Sequence, residues 1–286
     1  MEWLNRMKDT LDYMESNMTK PLRIEEVARI AHVSPFHFQR MFGMITGFTV
    51  ADYIRKRRLT LAAQELAVSK AKVLEVALKY GYDTPEAFTK AFRKAHGITP
   101  SAAREPGAAL KAFPRLSFHL SLKGDQEMEY RIVERAAFQV IGKSWVVDTC
   151  EGENFRKIPQ LWNEVNSDGT SERLESIGVH PNLMGICSDM DMQKETMTYW
   201  IAAEGSEETD PQGYEVTLIP AATWAVFTSV GPMPHAIQKI WERIYSEWFP
   251  STGYEHANAP EFELYLPGDP GAEDYVCEVW IPVVKK

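Results

Sequence analysis

Cysteine is scarce in this 286-residue chain: Cys150, Cys187 and Cys277 are the three, set far apart. Neither they nor the seven histidines form a CxxC or HxxxH pair, so no disulfide framework and no metal site is expected. The thiols read as reduced ones in a cytoplasmic protein. Long apolar runs are missing too, none approaching the roughly 20 residues that span a bilayer. The opening MEWLNRMKDTLDYM is amphipathic and lacks a signal-peptide profile. There is no phosphate-binding glycine loop and no Ser-His-Asp spacing, so the chain is read as a non-enzyme with no catalytic residues and no cofactor.

Net positive charge is also lacking, and a formal −9 taken alone argues against nucleic acid. The distribution reverses that conclusion. Residues 1–123 hold 20 Lys and Arg against 12 Asp and Glu, and residues 124–286 hold 11 against 28. A part carrying +8 precedes one carrying −17. A basic half is what binding a polyanion requires, because phosphate contacts release counterions and supply much of the affinity.

Within the basic half, IEEVARIAHVSPFHFQRMFGMITG (24–47) returns as VLEVALKYGYDTPEAFTKAFRKAHG (73–97). Val27 and Ala28 fall on Val76 and Ala77, and, after one extra residue in the second turn, Phe38, Phe42 and Gly47 fall on Phe88, Phe92 and Gly97. Each copy reads helix, turn, helix. Ser34-Pro35 and Thr84-Pro85 give both second helices an N-cap followed by proline at the first helical position. Phe38, Met41 and Phe42, matched by Phe88, Ala91 and Phe92, lie on one apolar face. Phe36, His37, Gln39 and Arg40, and Glu86, Ala87, Thr89 and Lys90, lie on the other, free to touch something. A helix from about Val50 to Val68 joins the copies and carries Arg55-Lys56-Arg57-Arg58. There Arg55 and Arg58 are candidates for phosphate contact, and the plainer alternative is a solvated face with one arginine braced against a carboxylate.

Two such units, the connector DYIRKRRL and the ending GITP resemble the AraC/XylS family of transcription regulators over residues 1–106. The resemblance implies an all-α double helix-turn-helix domain whose second helices enter successive major grooves of double-stranded DNA, about 34 Å apart on one face. It places Phe36, Gln39 and Arg40, then Glu86, Thr89 and Lys90, at base- and phosphate-facing positions. Arg40 suits guanine, Gln39 adenine, Phe36 a thymine methyl, and Glu86 can only accept, for instance from cytosine N4. The second head is therefore expected to contribute less affinity than the first.

The stretch from Glu105 to Gln126 has two prolines, two glycines and no sustained period, and marks a linker at residues 107–126 in which Phe118 and Leu120 are candidates to dock on a domain. The remainder, 127–286, holds seven of the eight tryptophans. It contains a degenerate duplication: AAFQVIGKS then IPQLWNEV, and AATWAVFTS then IQKIWERI, each reading strand, helix and further strands. With MEYRIVERAAFQVIG, FELYLP and CEVWIPV, it resembles the α+β GyrI-like effector-binding domain found on Rob-type AraC regulators. Alternation puts Glu263 and Tyr265 on one strand face, and Glu278 and Trp280 on one face of the last strand. Carboxylates among aromatic rings suit a small amphipathic cation, through charge neutralisation and cation–π attraction. The resemblance implies a pocket lined by late-strand acids, carried here to Glu263 and Glu278, with Tyr199, Trp200, Trp224 and Phe227 as walls.

The leading reading is a ligand-responsive, multidrug-type transcription regulator. Two others stand beside it: hydrolysis of a reactive small molecule by Glu263 with Tyr199 or Tyr265, and a protein-binding module whose acidic half meets RNA polymerase or another protein. No membrane partner is expected.

Overall fold

The structure, a computed structural model, describes residues 2–117, 127–150, 153–191 and 194–285, with side chains from residue 5 onward. Residues 118–126 of the linker, with Phe118 and Leu120, lie outside the described residues. The chain divides into two compact units, one drawn from Met1–Phe38 and Val50–Leu122, the other from Gln39–Thr49 and Lys123–Lys286.

The first unit is helical. Helices α1 (Glu2–Ser16) and α2 (Ile24–Ala31) precede α3 (Pro35–Thr46), whose residues from Gln39 onward group with the second unit. Then come α4 (Val50–Val68), α5 (Val73–Lys79) and α6 (Pro85–His96). Both caps form as their residues dictate. Ser34 Oγ accepts the His37 N–H and Thr84 Oγ1 accepts the Ala87 N–H, each at 3.2 Å. Phe38, Met41, Phe42, Phe88 and Phe92 are buried. The second helix pair closes over Leu59, Ala62, Ala63 and Leu66 of α4, with Val76, Ala77, Phe88 and Phe92.

Two of the four connector cations are structural pins. Arg57 donates from Nε and Nη2 to the two carboxylate oxygens of Glu15, both at 2.8 Å, and from Nη1 to the Phe113 carbonyl at 2.7 Å. Tyr53 O–H donates to the same Glu15 carboxylate at 2.6 Å, so α4 is fastened to α1 by a three-residue polar knot. Burial pushes the Glu15 carboxyl up, but the hydrogen bonds from Arg57 and Tyr53 outweigh it and hold its pKa below the ordinary value. Arg58 donates to the carbonyls of Met18 at 2.8 Å and Lys20 at 2.7 Å. Its guanidinium lies against Gly81, whose φ of +82° favours glycine at that turn of the second copy and leaves the close approach of Nη1 free of a Cβ.

The second unit is α+β. Its elements are β1 (Tyr130–Arg135), β2 (Phe138–Asp148), α7 (Glu153–Ser167), α8 (Thr170–Ile177), β3 (Leu183–Asp191), β4 (Thr196–Gly205), β5 (Glu215–Ile219), β6 (Ala222–Val230), α9 (His235–Arg243), β7 (Tyr254–His256), β8 (Glu261–Tyr265) and β9 (Val276–Lys285). Among the described residues they form an antiparallel sheet in the order β1-β6-β9-β8-β3-β4-β2-β5, with β7 on β9. The duplication is plain in this order: β5-β2-β4-β3 and β1-β6-β9-β8 are two matched quartets meeting at β3 and β8. Each copy's leading strand has changed places, β1 pairing with β6 and β5 with β2. The exchange interlocks the copies and fixes the seam. One sheet face carries Tyr199, Ile201 and Ala203 beneath Leu161, Val165 and Leu174 of α7 and α8. The other carries Trp200, Trp224, Phe262 and Trp280 in one cluster.

Candidate functional site

The seam between the copies sets the site. Gly185 of β3 pairs with Glu263 of β8, Cys187 pairs with both Tyr199 of β4 and Glu261 of β8, and Glu263 pairs with Val279 of β9. Cross-strand partners share a face, so Glu261, Glu263, Tyr265, Tyr199 and Cys187 all point to the helix-covered side.

Glu263 is half-buried and takes two donors. Trp241 Nε1–H reaches Oε1 at 2.7 Å and Tyr265 O–H reaches Oε2 at 2.5 Å. Trp162 Nε1–H donates to the Tyr199 hydroxyl oxygen at 2.8 Å, and its ring lies edge-on to Tyr265 with centroids 4.8 Å apart. Trp162 and Trp241 occupy the same place in the duplicated IPQLWNEV and IQKIWERI, so the two copies supply a matched pair of indole donors to unlike acceptors. Gly185 makes room between them: a Cβ there would stand 2.3 Å from the Tyr199 hydroxyl and 3.4 Å from Glu263 Oε2.

Burial pushes the Glu263 carboxyl up from its ordinary value, opposed by the Tyr265 and Trp241 hydrogen bonds and by the charge of Arg40. Burial likewise drives Tyr199 and Tyr265 well above the usual phenol range, with the Glu263 charge adding to it, and brings the Cys187 thiol to about 11. Both phenols and the thiol therefore keep their protons at neutral pH.

Glu261 was not singled out from the sequence, although alternation places it two residues before Glu263 on the same face. It is 1% exposed. His256 Nδ1 accepts the Asn258 N–H at 3.1 Å, which leaves Nε2–H to donate to Glu261 Oε2 at 2.9 Å. Arg40, in the α3 segment that belongs to this unit, forms an ion pair with Glu261. Its guanidinium carbon lies 5.6 Å from the centroid of the Trp241 ring.

The second carboxylate of the sequence reading belongs elsewhere. Leu264 pairs with Glu278 and Phe262 with Trp280, so Glu278, Trp280, Trp224 and Trp200 lie on the face opposite Glu263. The expectation of two carboxylates in one pocket is therefore corrected: alternation ranks residues within a strand, and only the register between strands says which faces coincide. Glu278 pairs with Arg131 at 2.7 Å and accepts from Trp280 Nε1–H at 2.9 Å. Phe227 does share the Glu263 face, where it packs edge-on against Trp248.

On the helical side, α6 presents Glu86, Lys90 and Arg93 exposed and Thr89 half-exposed, and with Pro85 they line one shallow open depression. In α3, Phe36 and Gln39 are half-exposed, while His37 and Arg40 are 2% and 8% exposed. The open polar face expected of both second helices is thus present on α6, and on α3 two of its four members are buried. Arg55 is half-exposed and ion-paired with Asp52, and Arg58 is held by its two carbonyls.

Fold and site define a two-part protein, a double helix-turn-helix of the DNA-binding kind followed by a duplicated α+β domain with a carboxylate under aromatic donors. The helix-turn-helix domain family matches residues 27–106, and the GyrI-like small molecule binding domain matches residues 128–284. The chain belongs to the AraC-type transcription regulators that carry a GyrI-like domain. It is 25% identical over 297 aligned residues to the right origin-binding protein of Escherichia coli K12, covering 99% of both chains. It is 36% identical over 98 residues to the transcriptional activator AarP of Providencia stuartii, covering 34% of this chain and 73% of that one. Among solved structures, SAV2435 bound to tetraphenylphosphonium matches 55% of this chain and 94% of its own at 25% identity, with a TM-score of 0.50. No described helix is long and apolar enough to cross a membrane.

Proposed function

We propose that this regulator reads two successive major grooves with α3 and α6 and answers to a small amphipathic cation held at Glu263, the domains being divided within residues 107–126. The observation that carries the effector reading is the half-buried Glu263 carboxylate, donated to by an indole and a phenol, with a cation, the Arg40 guanidinium, already 5.6 Å from the centroid of that Trp241 ring. A cation there would gain charge neutralisation and cation–π attraction where burial now disfavours the charge. The similarity to a protein solved with tetraphenylphosphonium supports the same chemistry. Tyr199, Tyr265, Trp162 and Trp241 would line this site; Glu278, Trp200, Trp224 and Trp280 would not.

For DNA, Phe36, Gln39 and Arg40 of α3 and Glu86, Thr89 and Lys90 of α6 remain the proposed contacts, with Arg93 added because it shares the exposed α6 face. Arg58 is set aside, its donors being engaged by carbonyls. Lys90→Ala is expected to weaken binding to a random-sequence duplex pool evenly across sequences and to reduce the salt slope by about 1. Affinity measured as a function of salt checks this, and an unchanged slope would remove Lys90 from the phosphate contacts.

A further inference from the structure

Resting on the reading of the Glu263 site as a cation site, we propose that the site already holds a cation of its own, the Arg40 guanidinium, and that a delocalised organic cation binds by taking Arg40's place. Four observations converge on this. The Arg40 side chain is 9% exposed and that of its partner Glu261 is 2% exposed, so the pair is nearly dry. The guanidinium sits 5.6 Å from the Trp241 ring centroid, and Trp241 is the residue that donates to Glu263. The charge of Arg40 is felt at Glu263, at Cys187 and at Tyr245, which surround the same spot. Finally, the segment that carries it is tied down at its far end as well, Thr49 O–H donating to Glu195 at 2.9 Å.

The chemistry of the occupant states the chemistry of its rival. A guanidinium is planar, delocalised and weakly hydrated, and it prefers a carboxylate on one side and an aromatic face on the other. Phosphonium, amidinium and aromatic ammonium ions share those properties, whereas a compact, strongly hydrated ammonium does not. The arrangement is also displaceable. A desolvated ion pair is secure only when its remaining donors are bonded, and the buried Arg40 Nε has no hydrogen-bond partner among the described residues. A ligand cation would inherit Glu261 and Glu263 without that orphaned N–H. Arg40, on the helix that also carries Phe36 and Gln39, would then be released to solvent or to DNA.

Two measurements on the full chain test the exchange. Phenylglyoxal labelling of the wild type, read by mass spectrometry, should leave Arg40 unmodified relative to exposed Arg93, and saturating tetraphenylphosphonium should make Arg40 reactive. Titration by tryptophan fluorescence should show Arg40→Gln binding tetraphenylphosphonium at least about tenfold more tightly than wild type, roughly 1.4 kcal/mol, because no resident charge has to leave. Arg40 labelled as fast as Arg93 in the free chain would overturn the proposal, as would equal affinity in wild type and Arg40→Gln. If that equal affinity still depends on Glu263, the cation site stands and only its occupation by Arg40 falls. If neither protein binds the cation, both readings fall together.

Discussion

Glu263→Gln is expected to weaken tetraphenylphosphonium binding by at least about 30-fold, because removing one partner of an enclosed charge pair costs about 2 to 5 kcal/mol. The substitution keeps the shape of the side chain and an acceptor oxygen for Trp241 or Tyr265, and deletes the charge. Folding should not suffer. Burial raises the pKa of Glu263, so the folded state takes up its proton at higher pH than the unfolded chain does, and the ionised carboxylate is a cost to the free protein at neutral pH. Thermal stability at neutral pH should therefore be kept or slightly raised while cation affinity is lost, which separates a ligand contact from a structural one. The pH dependence has a definite sign: affinity should fall on acidification through the raised pKa of Glu263, before an ordinary carboxylate would protonate. A titration of wild type and Glu263→Gln at neutral and mildly acidic pH checks both points, and equal affinity in the two proteins would remove Glu263 from the site.

Glu15→Gln should have the opposite character, a large loss of stability in the helical unit without any effect on the cation site. It leaves the Arg57 guanidinium, 10% exposed, facing a neutral amide, and deprives Tyr53 of its charged acceptor. Leaving one member of a nearly buried pair uncompensated costs about 3 kcal/mol. Because the folded pKa of Glu15 lies below its unfolded value, its contribution is present above the unfolded pKa and is lost as pH falls through the folded one. The difference in stability between wild type and Glu15→Gln should therefore be full at neutral pH and shrink in acid. Denaturant unfolding at several pH values measures it, and a difference that does not vary with pH would show that Glu15 acts through packing alone.

Local signals in the sequence carried a long way. Ser34-Pro35 and Thr84-Pro85 announce the starts of α3 and α6 because capping involves residues two or three apart, and the periodicity from Val50 to Val68 marks α4. Alternation in EFELYLP correctly puts Glu263 and Tyr265 on one face, and applied one step further back it also finds Glu261. The duplicated tryptophans, Trp162 and Trp241, were visible as a repeat but not as donors, since their acceptors Tyr199 and Glu263 lie on other strands. What escaped depended on distant partners. Arg57 and Arg58 look like a phosphate-binding run until Glu15, Met18 and Lys20, about 40 residues earlier, are seen to engage them. Arg40 looks like a solvated base reader because nothing near it in the chain foretells Glu261. Glu278 was misplaced because the register between β8 and β9 is set by the fold, not by either strand alone.

If a cation at Glu263 displaces Arg40, the cation site and the DNA-reading surface are linked, and linkage is reciprocal. The most direct test is the affinity of the full chain for a random-sequence duplex pool, measured at one fixed salt concentration with and without saturating tetraphenylphosphonium. The cation is expected to raise DNA affinity by freeing Arg40, DNA to raise cation affinity by the same factor, and the effect to disappear in Glu263→Gln. DNA affinity that is the same with and without the cation, while the cation is demonstrably bound, would contradict that linkage.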